Sequence, residues 1–135
     1  MKPLRFHLLG LAHLPTNKSN SACAYTQKVV KLAKILKTYG HTVFFYGVEG
    51  SEVECDEFIP VSTKAILLAT YGDYNQSKEF FKHNPTDLAY KTFNQNAIKG
   101  ILERKADRDF LLCPMGNYQR PIAEAVGLTT VESGI

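Results

Sequence analysis

His13 ends an apolar run and opens a row of hydroxyl and amide side chains: Thr16, Asn17, Ser19, Asn20 and Ser21. A neutral imidazole near physiological pH can take a proton from a hydroxyl, which makes His13 the candidate general base. The row behind it precedes a helical pattern. Free backbone N–H groups and the positive end of a helix dipole there suit a phosphate or a polyhydroxylated ligand. No carboxylate that would orient the imidazole is recognisable, and a polar surface loop with a capping serine accounts for the same residues. Two further loops carry weaker signals. Gly47 and Gly50 offer backbone that a ligand can approach closely. Gly116, Asn117, Tyr118 and Gln119 combine a turn with amide and phenol groups able to hydrogen-bond a sugar, and turn chemistry explains them equally well.

Other chemistries find less support. The dinucleotide fingerprint G-x-G-x-x-G and the phosphate loop G-x-x-x-x-G-K-[ST] are both missing, and Gly10 stands alone. Cys23, Cys55 and Cys113 are odd in number and widely separated, and neither they nor the four histidines fall at zinc spacing, so no metal is implied. The thiols read as reduced and intracellular. His7, in the middle of an apolar run, reads as a core histidine with a satisfied ring, and His41 as a helix-exit residue. Glu52, Glu54, Asp56 and Glu57 form an acidic cluster of the kind that usually stays solvated.

The elements that must position these residues can be read from periodicity. The run 4–12 is short and nearly continuously apolar, which suits a strand buried on both faces. Tyr25, Val29, Leu32, Ala33 and Leu36 recur at helical spacing, with Ser19, Asn20 or Ser21 able to cap the start and Gly40 at the exit. Residues 42–46 are β-branched and aromatic, a second strand, and strand–helix–strand makes a βαβ unit. Residues 57–61 are a strand near an edge, because Pro60 cannot donate to a ladder. Ser62 or Thr63 caps a short helix. Asn84 and Pro85 read as a cap and first helical residue, followed by a helix of about five turns ending before Asp107. Residues 109–113 and 128–132 are strands, separated by a short helix over 121–126 that Gly127 stops. The alternation predicts an α/β, Rossmann-like, mostly parallel sheet with helices on both faces. In such sheets ligands bind beyond the carboxyl ends of the strands, where the three loops above fall.

The bulk numbers fit one domain: 135 residues, 44% hydrophobic, 21% charged and net charge +3. Lys28, Lys31, Lys34 and Lys37 fall every third residue along one predicted helix and read as a solvated face. No basic run is interleaved with aromatics, which argues against nucleic-acid binding. No apolar stretch is long enough for a membrane span, and no cleavable leader is recognisable. The expected location is the cytoplasm, of a host cell if the source is viral.

Several stretches resemble the N-terminal domain of GT-B glycosyltransferases. They are His7-Leu8-Leu9-Gly10-Leu11-Ala12-His13, Cys23-Ala24-Tyr25-Thr26-Gln27-Lys28-Val29 and Gly40-His41-Thr42-Val43, together with residues 46–55 and Cys113-Pro114-Met115-Gly116. The likeness is to hexosyltransferases of bacteriophages, large viruses and bacteria, and it covers nearly the whole chain. It implies that 1–135 is a single Rossmann-like domain equivalent to the N-terminal half of such an enzyme, without the C-terminal half that binds the nucleotide sugar. It implies transfer of a hexose to a hydroxyl with no metal or resident cofactor. It places His13 where inverting members often carry their base, whereas retaining members rely on the other half. Thr16, Asn17, Ser19, Asn20 and Ser21, with Gly47 and Gly50, would contact the acceptor, and Gly116, Asn117 and Tyr118 would line the opposite wall.

The expected partners are therefore a glycan or other hydroxyl acceptor and a second Rossmann-like, donor-binding chain, or a second copy of this one. Transfer by the chain alone is not expected, since one domain cannot hold donor and acceptor together. The alternative is a non-catalytic glycan- or partner-binding module with the same fold. A flavodoxin-like nucleotide binder is a weaker third option.

Overall fold

Side chains alternate along the first strand, and that alternation decides which helix covers which face of the sheet. The computed structural model describes residues 3–20, 23–72 and 84–132. Five strands, β1 (Arg5–Leu9), β2 (Thr42–Val48), β3 (Glu57–Ser62), β4 (Phe110–Cys113) and β5 (Thr129–Glu132), form one sheet. Every pairing is parallel, and the order is β3-β2-β1-β4-β5. Helices α1 (Ala24–Thr38), α2 (Lys64–Tyr71), α3 (Leu88–Arg104) and α4 (Arg120–Val126) connect them. On one face Leu8, Val43, Phe45 and Leu112 pack against Val29, Ala33 and Leu36 of α1. On the other, Leu9, Tyr46, Leu111 and Cys113 pack against Tyr90, Phe93, Ala97 and Ile101 of α3 and Ile122 and Val126 of α4. Helix α2 rests on α3. This is the α/β, Rossmann-like sheet with helices on both faces that the periodicity predicts.

Most boundaries follow local chemistry. Thr63 caps α2, its hydroxyl accepting from the Ile66 N–H at 3.1 Å. Gly127 ends α4 in the left-handed region at φ 69°. Pro60 lies on β3, which is an edge strand.

Two caps differ from expectation. Cys23, and none of Ser19, Asn20 or Ser21, occupies the N-cap of α1, and it makes no side-chain cap bond. Ser19 and Asn20 lie in a single 3-10 turn, and the Asn20 amide donates backward to the Pro15 carbonyl and the Asn17 side chain. Helix α3 starts three residues later than its proline suggests. Asn84 Oδ1 accepts from the Thr86 N–H two residues on, forming a local turn, and Asp87 takes over the cap by accepting from the Tyr90 N–H at 2.9 Å.

His7 is a core residue, fully buried. Its Nε2 lies 2.7 Å from Asp109 Oδ2 and its Nδ1 2.8 Å from the Tyr46 hydroxyl. Asp109 is held ionised by this bond, by the Ala106 N–H and by Arg5, all of which oppose the cost of its burial. An ionised carboxylate only accepts, so Nε2 carries the proton and Nδ1 accepts from the tyrosine. Burial depresses the imidazole pKa below 6.5 against the opposing pull of Asp109, and burial raises that of Tyr46 above 10.0. The chain Tyr46–His7–Asp109 is thus a hydrogen-bonded relay in which a neutral phenol and a neutral imidazole lead to an ionised carboxylate. It ties β2 and β1 to the residue just ahead of β4.

Candidate functional site

The chain reverses direction across the sheet between β1 and β4, so the crevice beyond their carboxyl ends is where a ligand is expected. In this protein that crevice is filled. Leu11, Leu14 and Met115 are buried together there, with Cys23, Tyr25 and Tyr118 packed around them. Gln119 stitches the two strand exits: its Nε2 donates to the Gly10 carbonyl at 2.8 Å and its Oε1 accepts from the Met115 N–H at 3.1 Å. Gln119 is therefore a buried structural clamp, and sugar contact is closed to it. Gly10 is needed because β2 comes so close. Its N–H donates to the Tyr46 carbonyl at 2.7 Å, and a Cβ there would stand 2.7 Å from the Phe45 ring.

The loop after β1 spends much of its polarity on its neighbours. The Thr16 N–H donates to Ser51 Oγ and its carbonyl accepts from the Glu52 N–H, while the side chain is fully buried. Asn17 donates to the Gly50 carbonyl at 3.1 Å. These bonds fasten Thr16 and Asn17 to residues 50–52, which joins two of the three expected loops. Gly50 is exposed at φ 93°, a left-handed conformation, and Gly47 is buried against Phe45. Ser19 is exposed, Asn20 half-buried, and Ser21 lies outside the described residues. His13 is only 4% exposed.

Where the joined loops meet α1 there is a cavity of about 450 Å³, lined by Asn17, Lys18, Thr26, Gln27, Val30, Lys31 and Glu52. Among the candidate residues it gathers only Asn17. His13, Thr16, Ser19, Asn20, Gly47 and Gly50 are not among its lining residues. Gly116, Asn117 and Tyr118 belong to the β4 exit, where Gly116 is buried, Asn117 exposed and Tyr118 set 6.1 Å from the Tyr90 ring.

Thr26 is the residue that periodicity missed. It is 1% exposed, and its hydroxyl has no hydrogen-bond partner among the described residues. Such a group costs stability unless something else satisfies it. It sits one residue after Tyr25, the start of the apolar stripe, and reads in sequence as an ordinary helix position. Only the packing of the loops against α1 shows that it is buried.

The wall chemistry is an apolar patch at Val30 surrounded by an amide pair, a hydroxyl, a carboxylate and two ammonium groups. That combination can hold a ligand with a hydrocarbon face and several hydroxyls. Thiol nucleophiles have no place in it. Cys113 is 1% exposed, and burial pushes its thiol up to about 12. Among the described residues no cluster of His, Cys, Asp and Glu is placed to hold a metal ion, and no helix is long and apolar enough to cross a membrane. No family model, curated protein or solved structure matches the chain.

Proposed function

We propose that this chain is the acceptor side of a GT-B glycosyltransferase, binding a polyhydroxylated acceptor in the cavity between residues 16–18, α1 and Glu52. In the reaction an acceptor hydroxyl oxygen attacks the anomeric carbon of a nucleotide-bound hexose. The bond to the nucleoside diphosphate breaks, and the hydroxyl proton passes to a base. The donor is held by a second Rossmann-like unit. The resemblance supplies the reaction class, and the observation that carries the binding site is the buried, unpartnered Thr26 hydroxyl on the wall of a cavity of sugar-accommodating size. A bound hydroxyl would complete the missing hydrogen bond after a small shift of the wall, because the Thr26 oxygen is itself closed to solvent; Glu52 would accept from further hydroxyls, and Val30 would meet a C–H face of the sugar ring.

A second reading, a non-catalytic glycan-binding module, is favoured by one observation: His13 is 4% exposed and outside the cavity wall. Base catalysis by His13 requires residues 10–17 to open, and binding does not. One experiment separates them. Amide chemical shifts of the chain are followed while a panel of mono- and oligosaccharides is titrated in, and UDP- and GDP-hexose turnover is then assayed with and without a donor-binding partner. Acceptor binding moves the amides of Asn17, Thr26 and Gln27. Under the transferase reading His13→Ala abolishes partner-dependent turnover and leaves binding intact. Saccharide-induced shifts confined to other parts of the molecule, or turnover by the chain alone, would overturn the assignment.

A further inference from the structure

The cavity assigned to the acceptor carries more charge than a neutral sugar calls for. Two ammonium groups and one carboxylate line it: Lys18 from the 3-10 turn, Lys31 from α1 and Glu52 from the segment after β2. All three residues are exposed. Elsewhere charged side chains answer one another. Arg5 is paired with Asp109, Lys37 with Asp56, Arg104 with Glu57 and Arg120 with Glu132. Among the described residues Lys18, Lys31 and Glu52 are in no ion pair, although they line the same cavity.

The helix sets where that charge lies relative to the rest of the wall. Thr26 and Val30 are four residues apart, and so are Gln27 and Lys31, so the two pairs form neighbouring rows on one side of α1. At a rise of ~1.5 Å per residue, Lys31 stands about 7.5 Å along the axis from Thr26. One hexose ring with a substituent on its exocyclic carbon covers that separation, with a ring hydroxyl at Thr26, the C–H face at Val30 and the substituent at Lys31. Lys18 lines the same space from the loop. The neighbouring Asn17 amide donates to the Gly50 carbonyl at 3.1 Å, which fixes the backbone from which Lys18 reaches the cavity. Two positive groups against one negative favour an anion over a neutral ring, and a neutral ring over an amine.

We propose that the acceptor is an anionic saccharide, a hexuronate or a hexose phosphate, whose charged group is met by Lys18 and Lys31. The inference rests on the acceptor reading above and narrows its substrate class. The ring contacts at Thr26 and Val30 supply the position, and the two lysines select the sign of charge. Because both lysines are exposed, each pair contributes modestly, and the expected preference for the acid over its neutral parent is about three- to tenfold.

The test titrates the whole chain with matched sugars and follows the amide shifts of Asn17, Thr26 and Gln27. The probes are glucose, glucuronate and glucose 6-phosphate, the same three in the galactose series, glucosamine, inorganic phosphate and UDP. The acidic sugars of at least one series are expected to bind three- to tenfold more tightly than their parent, and the difference should shrink between about 50 and 300 mM salt as screening grows. Lys18→Gln with Lys31→Gln changes two exposed residues, so the fold persists, as circular dichroism would verify. The double variant is expected to abolish the preference, and Glu52→Gln to enlarge it. Neutral and acidic sugars that move these amides with equal affinity overturn the inference and leave the acceptor reading standing. If no sugar moves them, both fall. A preference that survives the double variant overturns the inference, as does glucosamine binding more tightly than glucuronate. Inorganic phosphate bound as tightly as the hexose phosphates would make this a bare anion site. UDP displacing glucuronate from the same amides would assign the lysines to the donor diphosphate. Either result overturns the inference as well.

Discussion

Thr26→Val should make the free protein more stable while weakening its ligand. The two side chains are β-branched, nearly equal in volume and close in helix propensity, so the change replaces a hydroxyl by a methyl and little else. The hydroxyl is buried at 1% exposure and unpartnered among the described residues. Burying such a group without a hydrogen bond costs about 1–3 kcal/mol, and a buried methyl contributes about 0.8 kcal/mol in the favourable direction. Part of this is offset because the unfolded chain already shields some of the same group from water, which leaves an expected gain of about 1–2 kcal/mol. With m near 2 kcal/mol/M, the urea midpoint rises by about 0.5–1 M with m unchanged. The same substitution removes one hydrogen bond to a bound saccharide, so affinity falls by about five- to thirtyfold. Thr26→Ser is the control: it keeps the hydroxyl, loses the methyl, destabilises by about 1 kcal/mol and retains binding. Urea titrations followed by far-ultraviolet circular dichroism, beside saccharide titrations, read both effects. If Thr26→Val destabilises the protein by 1 kcal/mol or more, on the order of one lost hydrogen bond, the hydroxyl has a partner within the fold. The reasoning that marks the cavity as a binding site is then refuted.

Two further outcomes concern the relay at the opposite end of the sheet. Asp109→Ala leaves the His7 Nε2 proton and the Ala106 N–H unpaired beside an uncompensated Arg5, so unfolding free energy should drop by about 3–5 kcal/mol; a loss below 1 kcal/mol would show that the relay contributes little beyond an ordinary surface bond. The pH dependence has a definite sign. Folded His7 titrates below its ordinary 6.5, so the unfolded chain takes up the proton first and stability declines as pH falls below 6.5 toward the folded value. The depressed Asp109 carboxyl adds a second decline below 3.8. The slope for His7 is at most about 1.4 kcal/mol per pH unit. Thermal melts between pH 7.5 and 5 that stay level would mean the imidazole is not held neutral.

Local sequence was enough for the elements and their order. The apolar run 4–12, the helical stripe from Tyr25 to Leu36, the aromatic strand and the glycine stops each act over a few residues, and α1, β2 and α4 form over those stretches, while β1 ends at Leu9, before the apolar run does. His7 belongs to the same class, since an imidazole in the middle of a buried strand must find partners. Which partners was not legible, because Asp109 is 102 residues away and meets His7 only once β1 and β4 pair. The helix starts shifted for a related reason. Asn20 and Asn84 have cap-forming side chains, but neighbouring backbone in the folded loops claims them first.

The site divides along the same line. Sequence identified the loop polar groups by type, and the resemblance offered them a role. Tertiary packing decided that Leu11, Leu14 and Met115 fill the strand-end crevice, that Thr16 and Asn17 bind the neighbouring loop, and that the open space lies against α1 beside Thr26. Periodicity records which face of an element is apolar. Whether a second element covers that face, or a polar atom on it finds a partner, depends on segments far apart in the chain. That is why the Thr26 hydroxyl, unpartnered among the described residues, appears only in the folded molecule.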